Sequence, residues 1–172
     1  LATVPGLQVA SLTVHRGVHP ADVPRGDGAR RVLLLIAHQH MAYGFFSLDV
    51  ELEARYGLAS EVFTFQRKPK LLFAQTFTAS FPRPAGGKGG GLFGWMEQSA
   101  ASWEALGADT VAGMVDAGLR DVAAMLAYEL QRRPRFGRIP GKQLAVGDTY
   151  GVVEHVAGDR AWVRLRNGRL GS

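Results

Sequence analysis

Residues Asp109 to Arg133 carry the only long helical period in this chain, and that helix constrains what the remainder can be. Apolar side chains recur at Val111, Met114, Val115, Val122, Met125, Leu126 and Leu130, with Gly118 and Leu119 on the same track. Steps of three and four gather them on one face, which is what a helix needs to cover a sheet. Asp116, Arg120, Asp121, Glu129 and Arg132 fall mostly off that stripe. Asp109 is the expected N-cap, because its carboxylate can accept an orphan amide hydrogen of the first turn. Arg132 and Arg133 suit the negative end of the helix, and Pro134 stops it.

Everything before the helix reads as strands. In Phe46 to Tyr56 the residues Phe46, Leu48, Val50, Leu52, Ala54 and Tyr56 alternate with Ser47, Asp49, Glu51, Glu53 and Arg55. A period of two sends one set to a core and the other to water. Arg31 to Met41 is a short branched apolar run, expected as a strand covered on both faces. Leu7 to His15, with Val9, Leu12 and Val14, is a further expected strand, as are Ser60 to Arg67 and Lys70 to Phe81. In the last, Leu71, Phe73, Phe77, Ala79 and Phe81 share a face with Gln75. The short connections at residues 56–59 and 68–70 imply hairpins, so residues 31–81 read as an antiparallel meander.

Beyond Pro134 the pattern changes. Arg135 to Lys142 is a basic, Gly/Pro-containing linker, and Leu144 to Val156 and Arg160 to Arg166 read as two strands joined by Ala157-Gly158-Asp159. Asn167-Gly168 suits a type I′ turn, with a third short strand expected past the end of this sequence. Gly171 and Ser172 carry no weight in this reading. The tail is either the last strands of the main sheet or a small barrel-like appendage, and the proline-flanked linker favours the appendage. The expected fold is therefore α+β: an antiparallel sheet of four to six strands covered on one face by the helix, spanning 1–134, with a small β tail over 135–172.

Apolar residues make up 47% and charged ones 20%, which excludes a disordered chain. The strictly apolar run Val32 to Ala37 is far shorter than the roughly 20 residues a spanning helix needs. The absence of cysteine removes disulfides, thiolate metal sites and cysteine nucleophiles together. The first residue, Leu1, fits a chain that has lost a secretory signal and equally one that was simply trimmed.

Net charge is +5 and the pI about 10.0, which is compatible with a polyanionic partner. The candidate polyanion site is Arg132, Arg133, Arg135 and Arg138, weighed against solvated surface and helix-end charge. His38 and His40, two apart on a strand, point to one face and could share a zinc or copper ion. Only two ligands are visible, and the plainer reading is a strand leaving the core. The row Asp49, Glu51 and Glu53 reads as a solvent face that keeps the chain soluble.

Six glycines between Gly86 and Gly94 invite a phosphate-loop reading, but Lys88 is followed by Gly89 rather than Ser or Thr. No Gly-x-Gly-x-x-Gly stands in a strand-to-helix setting, so no nucleotide and no other cofactor is expected. Ser99 and Ser102 lie in no nucleophile elbow, and no RNA-binding sheet signature is present. Lys88, Leu92, Phe93 and Trp95 instead place large apolar groups and a cation on a glycine-rich tether, which suits a latch buried against the same chain or a contact for a partner or a lipid surface.

From Arg31 to Arg133 the order is paired strands, FAQTFTASF at Phe73 to Phe81, a Gly-rich gap with a tryptophan, and a small-residue helix at Ala112 to Leu126. This order resembles the mature domain of bacterial outer-membrane lipoproteins of the YajG-like and ABC-transport-auxiliary types. The cysteine that anchors those proteins is not in this sequence, a departure from the family's pattern that a cut just after it would account for. The resemblance implies a non-enzymatic domain of the periplasm or outer membrane that serves envelope assembly or transport through a protein partner. The alternatives are a cytoplasmic nucleic-acid or polyanion binder and a histidine-dependent metal protein.

Overall fold

The computed structural model describes residues 11–18, 22–23, 31–41, 47–63, 71–84, 101–131, 143–146, 149–158 and 160–172. Three strands, β1 (Arg31–Met41), β2 (Ser47–Leu58) and β3 (Phe73–Pro82), form the expected antiparallel meander. In β2 the alternation works as read: Leu48, Val50, Leu52 and Ala54 are buried and the residues between them are not. The register sets Val50 opposite Ala79 and Leu52 opposite Phe77, so two apolar rows meet on one face.

Two expected strands, Leu7 to His15 and Ser60 to Arg67, do not form over the part of each that lies among the described residues. Residues 11–15 are irregular, with Leu12 and Val14 exposed, while Leu7 and Val9 lie outside the described residues. The chain after β2 makes no hairpin at residues 56–59. Instead β2 runs to Leu58 and a single helical turn, α1 (Ala59–Val62), follows. Val62 and Phe63 are adjacent and both buried, an outcome that a strand with one covered face cannot give.

The long helix, α2 (Ala108–Gln131), begins one residue before Asp109. Asp109 is thus not the cap; it sits inside the first turn, where its charge still favours the positive helix end. A helical stretch over 101–106 precedes it, with Gly107 at φ 76° between the two. Gly118, Val122, Met125 and Leu126 are its buried residues, and Leu119 is turned outward. The core joins Val50, Leu52, Ala54, Phe77, Ala79, Val122, Met125, Leu126, Trp162 and Leu170. At Gly118 a Cβ would lie 2.7 Å from Val50 Cγ2 and 3.1 Å from Phe81 Cε2. The helix backbone therefore approaches the sheet as closely as it does only because that side chain is missing.

The described C-terminal strands continue the same sheet rather than forming one of their own. β4 (Gln143–Val146), β5 (Thr149–Ala157) and β6 (Arg160–Leu165) pair antiparallel, and β7 (Leu170–Gly171) pairs antiparallel with β6 and parallel with β3. Among the described residues the sheet has seven strands, the tail strands included, in the order β1-β2-β3-β7-β6-β5-β4. The expected strand Leu144–Val156 is two strands, because Val146 pairs with Thr149 across the link at 147–148. Nor is the turn at Asn167-Gly168 type I′, which needs positive φ at both central residues. Only Gly168 has it, at 85°, and Gly168 N donates to Leu165 O at 2.9 Å while Leu165 N donates to Arg169 O at 2.8 Å. That is a three-residue loop with a bulge at glycine. It brings the third strand forward into the sequence as β7. Ser172 also carries weight: its N and O bond to Thr78 O and Ser80 N at 2.9 and 2.8 Å.

Polar side chains of α2 fasten these strands. Asp121 Oδ1 accepts the indole N–H of Trp162 at 2.8 Å, and its Oδ2 lies 3.0 Å from Arg160 Nε and also accepts the Ser172 hydroxyl. The Arg160 guanidinium covers the Phe81 ring at 4.5 Å and donates to Ser172 Oγ at 2.8 Å. Arg164 bonds Glu154 at 2.8 and 2.7 Å and reaches Glu129 of the helix. Asp121 and Glu129, off the apolar stripe in sequence, thus flank it as ties to the sheet.

Two glycines of α2 should respond oppositely to alanine. Gly118→Ala gains helix propensity but forces the buried Val50 to move, for a net loss of about 1–2 kcal/mol. Gly113→Ala, where nothing lies within 4 Å of a new Cβ, should gain about 0.5–1 kcal/mol. Urea unfolding followed by circular dichroism reads both signs.

Candidate functional site on the open face of the sheet

With α2 on one face, the alternation sends polar residues of three strands to the other. The register places His38 opposite Glu51 and His40 opposite Asp49, and Glu51 and Glu53 opposite Thr78 and Thr76. Arg169, carried in by the turn before β7, completes the group. Together His38, His40, Glu51, Glu53, Thr76 and Arg169 line a depression of about 270 Å³.

Its charges are largely spent on one another. One Arg169 Nη donates to Glu51 Oε1 at 2.6 Å and to Thr78 Oγ1 at 3.0 Å, and Thr78 Oγ1 donates to the same carboxylate oxygen at 3.2 Å. Glu53 is held by Arg55 Nε at 2.5 Å. Arg169 Nε and Asp49 Oδ1 are buried without a hydrogen-bond partner among the described residues. One donor and one acceptor therefore remain to be satisfied by water or by a polar group of something bound.

The two histidines do share a face, as the spacing requires, with ring centroids 5.8 Å apart and planes 23° from parallel. His40 Nε2 lies 3.8 Å from Glu51 Oε2, and its side chain is 58% exposed. Among the described residues no group of three His, Cys, Asp or Glu is arranged to hold a metal ion. His155 is on β5 and packs on Tyr128 and Trp162 at centroid distances of 5.7 and 4.8 Å. The acidic row Asp49, Glu51 and Glu53 does lie on the outer face. Glu51 and Glu53 there form a bonded lattice, more than charge for solubility.

The remaining expected sites, Lys88, Leu92, Phe93 and Trp95 and the basic group Arg132, Arg133, Arg135 and Arg138, lie outside the described residues. A second hollow of about 540 Å³ lies where the helix start faces β1, lined by Trp103, Gly107, Val111, Val115, Asp116 and Gln39 among others.

Sequence reasoning missed Thr76, Thr78 and Arg169. The threonines were legible by parity, since alternate residues of β3 must share a face with the acidic row. Arg169 was not, because it lies 118 positions from Glu51. Comparison with family models, with curated proteins and with solved structures gives no match. No helix among the described residues is long and apolar enough to cross a membrane.

Burial separates Arg169 from Arg164 in consequence. The Glu154 side chain beside Arg164 is 1% exposed, whereas Arg169 and Glu51 are 37% and 28% exposed. Burial alone would lower the Arg164 pKa, but hydrogen bonds and attraction from Glu154 and Glu129 outweigh it and raise it above the ordinary value. Because the shift is upward, the Arg164 guanidinium keeps its charge throughout the neutral and acid range. Arg164→Met strands a buried carboxylate and should cost about 3–5 kcal/mol at pH 7. The loss should shrink as pH falls and that carboxylate takes up a proton. Arg169→Met should cost about 1 kcal/mol or less, and less again in high salt. Thermal unfolding of both variants between pH 4 and 8 tests the contrast.

Proposed function

We propose that this chain is a non-enzymatic interaction domain that serves envelope assembly or transport in bacteria, in the periplasm or at the outer membrane. The observation that carries this reading is the open face of the sheet. Its Glu51 and Glu53 carboxylates are held by arginines and a threonine, while Arg169 Nε and Asp49 Oδ1 stay unsatisfied among the described residues. A rigid, mixed-charge surface with spare hydrogen-bonding capacity suits recognition of another protein. The likeness in sequence order to outer-membrane lipoproteins supports the location, since its two stretches fall on β3 and α2, which pack together. The tether residues Lys88, Leu92, Phe93 and Trp95 belong to the same proposal as partner contacts.

The polyanion reading draws less support. Arg55, Arg160, Arg164 and Arg169 already face carboxylates within the chain, and a phosphate would have to displace those partners.

Fractionation of cells making the native gene product, together with a photo-crosslinking residue in place of Trp95, tests the proposal. The expected result is recovery with the envelope and one discrete cross-linked protein. A product wholly in the cytosol, released only at high salt from nucleic acid, would overturn it.

A further inference from the structure

β1 is one of the two edge strands of the sheet among the described residues, β4 being the other, and it is unguarded. Natural edge strands are kept from pairing with other chains by lysine, proline, inward charges, bulges or shortness. β1 has eleven residues and pairs with β2 without a break in register. From Val32 to His40 it contains no lysine, proline, glycine or acidic residue. Val32 to Ile36 are only half buried in the single chain, and residues 37–40 are exposed.

The strand is also complementary to itself. Pairing it antiparallel with a second copy about a two-fold axis through Leu34 sets Leu34 against Leu34, Leu33 against Leu35, and Val32 against Ile36. Every central pair is then aliphatic, and Arg31 meets Ala37 rather than another charge. Moving the axis to Ile36 would set Leu34 against His38 and Val32 against His40, matching aliphatic with imidazole. Residues of equal parity face each other in the Leu34 register, so the two open faces merge into one and the helices share the opposite side. An uncharged edge offers no selectivity for a charged partner, whereas this register satisfies the backbone and the side chains of both copies at once.

We infer that the protein is a dimer in which β1 of one copy pairs antiparallel with β1 of another, centred on Leu34. The sheet then runs unbroken through both copies. The inference stands on the edge strand alone and does not depend on where in the cell the protein works.

The absence of cysteine gives a clean test of register. Facing residues of an antiparallel pair have Cα atoms about 4.5–5.5 Å apart, within the range a disulfide spans. Leu34→Cys should therefore cross-link to itself under mild oxidation. Val32→Cys alone should not, while a mixture of Val32→Cys and Ile36→Cys copies should. Sedimentation should give twice the 18.6 kDa of one chain, and Leu34→Lys should give a folded monomer. A monomer at about 200 μM, or Val32→Cys linking to itself as readily as Leu34→Cys, would overturn the proposal. Should Leu34→Lys fail to fold, the cysteine pattern decides alone.

Discussion

Asp121 holds together two halves of a sheet that otherwise meet along very little backbone. β3 and β7 share two paired residues, Phe77 with Leu170 and Thr78 with Gly171, extended by the bonds of Ser172. One carboxylate on the covering helix, which itself packs on β2 and β3, meets the Trp162 indole, the Arg160 guanidinium and the Ser172 hydroxyl on the far side of that seam. A buried acid with three donors is satisfied where an acid with one would be a liability. Gly118 sets how close the helix lies, and Arg164 repeats the fastening nearer its end with Glu129 and Glu154. The polar ties fix position, and the apolar cluster around Phe77 and Met125 supplies the drive to bury surface.

The same seam explains the candidate site. Arg169 reaches Glu51 only because β7 lies beside β3, so the open face depends on the join made on the covered one. A change that loosens the seam should therefore disturb the polar depression before it disturbs β1 and β2, whose pairing is long and local.

The sequence was most informative where structure is periodic. Alternation from Leu48 to Ala54 and the stripe from Val122 to Leu126 gave the faces correctly, because burial on one side leaves a period that survives any tertiary context. It failed where side chains act singly. Asp121 and Glu129 lie off the stripe, yet their partners sit on strands that no local pattern brings near them. Val62 and Phe63 looked like strand residues because helix and strand are hard to tell apart in a short apolar run. The turn at Asn167-Gly168 was recognised as a turn, but its type follows from Asn167 keeping a negative φ. Of the site, His38, His40 and the acidic row were legible by parity, and the arginine that organises them was not.

The parallel pairing of β3 with β7 also sets an order of events. Its partners, Phe77 with Leu170 and Thr78 with Gly171, are far apart in the chain, so this contact carries a large loop-closure cost and must follow local structure. The β1–β3 meander and α2 can form from neighbouring residues, while the β4–β6 meander forms apart from them. Until β7 arrives, β3 presents an open edge flanked by phenylalanine, the surface most exposed to misassembly during synthesis. Folding thus ends with the capture of one short strand, and the chain's vulnerability is concentrated in the interval before it.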